Sequence, residues 1–449
     1  VARHIEELAA FVSATEWEDV PRSVQHHTKL VLLDTLGVIL AGAERPEVRH
    51  LRERLGTGSG ATIYARGWPS HDPRTAALLN GIAGRSIELC EGLRLVSGQA
   101  AMQVLPGVLA VGEQARSTGR DMLTALLLGY DVAARLAGGF TPRPLAHQNG
   151  QVSLLAAAAA GARLRGLDAM GISRAMRIAT ALLLTPSYTN AVAGATALNV
   201  SGGMSGFAAA LAPELALAGF EAQDDAIEQA LSQLVGNGFN ADAVLDELGT
   251  TWQITRNYFR LYACCNPIHP ALECLQQVLT KLRPKPEQIE RIDAVTYGFA
   301  AAMRNPDPPN FFASKYSLPH AAATMVVRGH AGHSALNDSA LHDPIIASLR
   351  RRVSVAEDPA MTAVAPQLRR ARVTVRLTDG RSASHACDSH RGDFQHPFAE
   401  AELRDKFREL AGVVLKAEGI ALVEQVVDGC DQWDSVDVLT TICRSHGRH

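Results

Sequence analysis

Apolar residues in the first 260 positions recur at helical spacing. In the segment LLDTLGVILAG, Leu32, Leu33, Leu36, Ile39 and Leu40 recur with a helical period, and Gly42 supplies a stop. Residues 105–111, 122–136 and 154–164 repeat the pattern. The alanines at 156–160, with Ala162, predict a helix packed on several sides, its backbone close to its neighbours'. Short polar breaks such as Thr141-Pro142-Arg143-Pro144 separate these units.

After residue 285 the period changes to two. Residues 292–297 alternate, as do 372–377, which run through Asp379-Gly380 into 382–386 and predict a hairpin. Residues 352–355 give another short strand, with helical stretches at 317–328 and 340–350. A last helix at 400–418 returns to the helical body. The pattern predicts a mainly α protein. It has a large all-helical domain formed by residues 1–266 and 400–449, and a smaller α+β domain over 267–399.

Composition narrows the function classes. A chain of 449 residues exceeds one small core. Its net charge of −3 offers no basic surface to nucleic acid. Seven cysteines, an odd number with no CxxC spacing, predict reduced thiols and a cytoplasmic protein. Residues 1–8 are charged and carry no apolar signal core. Apolar runs such as 154–162 are too short to span a bilayer, so no membrane partner is expected.

Several motif-like stretches carry no chemistry. Gly56-Thr57-Gly58-Ser59-Gly60 lacks the GxGxxG spacing, and residues 61–65 after it read as a strand, so it is a surface turn. His330 and His333 lie in a Gly/Ser/Asn loop without a Cys or carboxylate partner, and no metal is expected there. Adjacent Cys264 and Cys265 read as buried thiols. The informative stretch is Tyr262 to Pro270. His269 follows its cysteines and opens an amphipathic run over 271–282. A helix N-terminus lowers an imidazole's pKa and suits it to anions, as a base or carboxylate-binding group requires.

Seven stretches in shared order identify the chain as resembling the MmgE/PrpD family. They are LLDTLGVILAG (32–42), RTAALLNGIAGRSIEL (74–89), GYDVAARL (129–136), AAAAAGARLRGLD (156–168), YACCNPIHPALE (262–273), ASKYSLPHAAA (313–323) and RGDFQHPFAEAELRDKF (391–407). The family includes 2-methylcitrate dehydratase, cis-aconitate decarboxylase and iminodisuccinate epimerase. The resemblance implies a helical large domain, a smaller α+β domain, an active site in the cleft between them and a homodimer.

It also implies site residues, with departures. In the family's D-x-D-D-T element, the first acid falls on Glu88, the next two on Cys90 and Glu91, and the threonine on Gly92. The HPS histidine falls on Gln99 if one residue is inserted; the HPT histidine is kept as His147, within His-Gln-Asn. The lysine and histidine of K-x-x-H fall on Leu198 and Ser201. His269 is kept, Arg260 stands where a lysine is usual, and Lys315 is kept in a Lys-Tyr-Ser context with Tyr316 beside it.

Family members move a proton at a carbon next to a carboxylate, which calls for a base near the proton and fixed positive charge near the carboxylate. The implied assignment makes His147, His269 and Glu88 catalytic, with Arg260, Lys315, Glu91, Gln99 and Tyr316 binding substrate, and no metal or other cofactor. Loss of the threonine, histidine and lysine removes donors and makes the pocket partly apolar, which points to an acid with fewer carboxylates. The expected function is a cofactor-independent lyase, a dehydratase or decarboxylase, acting on a small carboxylic acid. An epimerase using His147 and His269 as two bases is the first alternative, and a non-catalytic carboxylate-binding homologue the second.

Overall fold

Small residues set the spacing of the helical body. The computed structural model describes residues 4–96 and 98–448. Helices Pro73–Arg85, Ala101–Ala115, Gly119–Gly139, Val152–Leu164 and Val200–Leu217 pack against one another. A Cβ on Gly81 would lie 2.5 Å from the Gly202 carbonyl oxygen, and one on Gly161 only 1.9 Å from that of Ala209. No larger residue permits these backbones to meet. Residues 152–162 are buried on every side, as their alanines predict. Helix Arg22–Gly42 ends at Gly42, where the absent Cβ makes room for the Ala83 carbonyl.

The smaller lobe holds a four-stranded sheet in the order Ser382–Cys387, Ala371–Leu377, Ile289–Thr296, Val353–Glu357. The first two form the expected antiparallel hairpin, and the last two run parallel. Helix His269–Leu282 packs against the hairpin strands, and Leu318–Arg328 packs on that helix.

Three expectations change in detail. The helix expected at 340–350 is two, Asp338–Leu341 and Pro344–Arg350, because the Asp343 carboxylate caps the second at Ile345 N and Ile346 N. The helix expected at 400–418 stops at Ala411 and restarts as Ala417–Asp428. The strand at 61–65 is only Ala61–Thr62, paired with Ser70–His71. The helical body carries two further short pairs, Gly92–Leu93 with Asn257–Tyr258 and Phe140–Pro142 with Gly236–Phe239.

Buried apolar side chains form two clusters. One joins residues from Ile5 to Phe259 with Leu403 to Cys443. The other is centred on the sheet but also takes in Ile87, Leu89 and Cys90 from the helical body. The loop after helix Pro73–Arg85 is thereby anchored in the smaller lobe's core. No described helix is long and apolar enough to cross a membrane.

Candidate active site

A cavity of about 550 Å³ opens where that loop meets the smaller lobe. Its walls draw on residues within the segments 85–96, 98–99, 142–148, 258–267, 297–299 and 362–369, with Tyr188 and Tyr316. Of the residues expected in the site, Glu88, Gln99, His147, Arg260 and Tyr316 line it. Glu91, His269 and Lys315 do not.

Glu88 is the only carboxylate on the cavity wall among the described residues. It is fully buried and adopts a left-handed backbone conformation, φ +50°. Its Oε1 accepts from Arg260 Nη1 at 2.6 Å, while Oε2 accepts from Tyr316 Oη at 2.8 Å and from Arg85 Nη1. The charges of Arg85 and Arg260 overcome the effect of burial and hold the carboxyl well below its ordinary range. A carboxylate so held orients cations; it is a poor base.

His147 lies on the cavity wall, its ring stacked on Tyr188 with centroids 5.5 Å apart. Burial, and then the charge of Arg85, lower its pKa to about 3, so the imidazole is neutral near pH 7. Its Nδ1 accepts from the Asn149 backbone N–H at 3.1 Å, which leaves the proton on Nε2. His147 therefore offers the cavity a hydrogen-bond donor. Gln103 braces its loop, accepting from Gly150 N at 2.8 Å and donating to Asn149 Oδ1 and to the Gln99 carbonyl.

The three residues outside the cavity have partners of their own. His269 Nε2 bonds the Cys264 carbonyl at 3.0 Å, and its ring packs edge-on against Tyr262 and His390, one layer behind the wall. Lys315 is fully buried, donates to the Leu336 carbonyl and lies 4.2 Å from the Phe311 ring centroid. Glu91 accepts from Ala101 N and Tyr130 Oη, and burial pushes its carboxyl up to about 7.

Other wall residues lie outside the expected set. Arg85, Arg94 and Arg369 are buried arginines on the wall. The signal for Arg85 was present, as an arginine inside an otherwise small and apolar helix (GIAGR). Tyr258 had no signal in the sequence; only the fold sets it against Gly92, where a Cβ would stand 2.4 Å from Tyr258 Oη. That hydroxyl accepts from Arg260 Nη2 at 3.2 Å. Tyr258 thus fills the space that Gly92 frees and supplies a hydroxyl there. Leu198 is fully buried in the sheet-centred core and the Ser201 hydroxyl bonds the Leu198 carbonyl; neither lines the cavity, so they do not make it apolar as expected. Among the described residues no group of three His, Cys, Asp or Glu is arranged to hold a metal ion.

The chain resembles several proteins in sequence over most of their length. A cis-aconitate decarboxylase of Aspergillus terreus is 22% identical over 470 aligned residues, covering 96% of this chain and 94% of its own. A cis-aconitate decarboxylase-like protein, oryM, of Aspergillus oryzae is 24% identical, covering 94% and 93%. The Homo sapiens cis-aconitate decarboxylase is 22% identical, covering 94% and 90%. The MmgE/PrpD N-terminal domain matches residues 6–239 and the MmgE/PrpD C-terminal domain residues 262–429. Matched in both halves, the chain belongs to the MmgE/PrpD family.

Proposed function

We propose that this protein is a cofactor-independent lyase that decarboxylates a small unsaturated carboxylic acid. The observation that carries the reading is the cavity's supply of acids and bases. Dehydration and epimerisation both begin by removing a proton from carbon, which needs a base. Among the described wall residues, Glu88 is held by two arginines and His147 presents Nε2–H with a pKa of about 3. Decarboxylation begins without a base. The C–C bond to the departing carboxylate breaks and carbon dioxide leaves. The electron pair stays on the substrate, delocalised over its conjugated system, and a proton is then delivered to carbon.

Arg85 and Arg260 supply fixed positive charge near the remaining carboxylate, where negative charge grows. Neutral His147 donates to the same developing charge, a role suited to an imidazole with a lowered pKa. The proton comes from a phenol or a water ordered by Tyr316, Tyr188 and Tyr258, and solvent restores it. The decarboxylase names of full-length relatives support the same class. The two-imidazole epimerase is disfavoured, because His269 sits behind the wall.

The test is turnover of small unsaturated di- and tricarboxylates, cis-aconitate included, in heavy water. Carbon dioxide release with one deuterium gained in the product is the expected result. Deuterium entering recovered substrate without carbon dioxide would indicate an epimerase, and loss of water a dehydratase. Saturable binding with no chemistry would make the protein a carboxylate-binding homologue.

A further inference from the structure

We infer that Arg369, supplied by the loop before strand Ala371–Leu377, binds a second anionic group of the substrate, so that the acid taken by this cavity is a dianion. The inference rests on the carboxylate reading above and deepens it. Arg369 lines the cavity and is 91% buried, its relative exposure being 9%. A buried guanidinium is stable when a counter-charge faces it. The other buried arginines of the wall have one: Arg85 and Arg260 share Glu88, and Arg94 pairs with Asp393 at 2.6 Å. Arg369 has no carboxylate within ion-pair distance among the described residues.

Its contacts are neutral. Nη1 donates to Asn266 Oδ1, Nη2 donates to the Arg94 carbonyl at 3.4 Å, and the buried Nε has no partner among the described residues. These contacts fix the side chain without cancelling its charge. Asn266 is itself oriented, since its Nδ2 bonds His390 Nε2 at 2.9 Å and His390 Nδ1 bonds the Arg391 carbonyl at 2.7 Å. The guanidinium is therefore pre-positioned, with a second N–H on each of Nη1 and Nη2 still to give. One carboxylate, Glu88, stands against the charges of Arg85, Arg260 and Arg369. Two positive charges remain, which is the complement of a dianion.

The probes are maleate and isocrotonate, in which a methyl group replaces one carboxylate, titrated calorimetrically into the whole protein. The wild type is expected to bind maleate at least about 10-fold more tightly than isocrotonate, the effect of one charge-assisted hydrogen-bonded contact. Arg369→Met should cut that ratio by about 10-fold or more, and Arg369→Lys, which keeps the charge without the fork, by less. A wild-type ratio near one overturns the inference, as does a folded Arg369→Met protein that keeps the wild-type ratio. If Arg369→Met does not fold, the wild-type ratio decides. Failure of the wild type to bind either acid would instead defeat the carboxylate reading, and this inference with it.

Discussion

At the scale of single residues, Glu88 is a structural counter-ion before it is anything else. It is fully buried and its three side-chain donors come from Arg85, Arg260 and Tyr316. Glu88→Gln would leave two buried guanidinium groups short of a counter-charge, and should lower stability by about 3–5 kcal/mol in urea unfolding. Because the folded pKa is depressed, Glu88's contribution is complete above its unfolded pKa and is lost as pH falls through the lower folded value. His147 acts with the same sign from a different cause. Its folded pKa is about 3, so on acidification from about 6.5 the unfolded chain takes up a proton that the folded one refuses. Stability should fall between those values, and His147→Gln should make the decline shallower in unfolding curves at pH 7 and pH 5. As a neutral donor, His147 should leave kcat/KM without an inflection near pH 6.5, while His147→Ala should lower kcat by about 10²-fold. A limb near pH 6.5 that vanishes in the Ala variant would return His147 to the role of titrating base.

At the scale of elements, the site depends on loops held by buried amides. Gln103, inside helix Ala101–Ala115, joins the Gln99 carbonyl, Asn149 and Gly150, and also accepts from Ser205 Oγ at 3.0 Å. It thus fixes the His147 loop to two helices. Gln103→Leu is expected to lower stability by about 1–3 kcal/mol and to weaken kcat more than KM, read by steady-state kinetics beside thermal unfolding. His269 also acts through an element. The Cys264 carbonyl it bonds also accepts from Arg260 Nη1 at 3.2 Å. His269→Ala should therefore disturb the Arg260 wall and protein stability together. Retained stability with a lost proton-transfer step would contradict this placement. Helices, hairpin and strand alternation were legible in the sequence because each is a local pattern. The breaks at Asp343 and after Ala411 were less so, since a cap and a short turn interrupt an apolar period that would otherwise continue.

At the scale of the molecule, a C-terminal helix ties the helical body to the loop that carries Glu88. Lys406, on helix Glu400–Ala411, is buried and donates to Asp34 Oδ1 at 2.6 Å and to the Leu89 carbonyl at 2.9 Å, next to Glu88. Helix Glu400–Ala411 packs on helix Arg22–Gly42, and the Asp34 carboxylate has no other hydrogen-bond partner among the described residues. Lys406→Met should cost about 3–5 kcal/mol by leaving Asp34 buried and unpaired, measured by urea unfolding. It should also lower activity through the Leu89–Glu88 backbone. Asp34→Asn combined with Lys406→Met should recover part of the stability, because both charges are then removed.

The sequence by itself determined the helical body, the α+β lobe and the family, through periodicities and ordered motifs that survive without coordinates. It also named Glu88, His147, Gln99, Arg260 and Tyr316, which the fold gathers around one cavity. Only tertiary structure decided which kept residues face that cavity. His269 and Lys315 are kept family positions, as His147 is, yet the turn of one ring toward Cys264 and of one ammonium toward Leu336 points them elsewhere. Arg369 shows the reverse. In the sequence Arg369-Arg370 is an unremarkable basic pair before a strand; burial beside Asn266, across a hundred residues of chain, makes one of them an uncompensated charge in the site. Local pattern fixes what a segment becomes. Side-chain direction and charge balance are set by neighbours distant in sequence, so they appear only when the chain has folded.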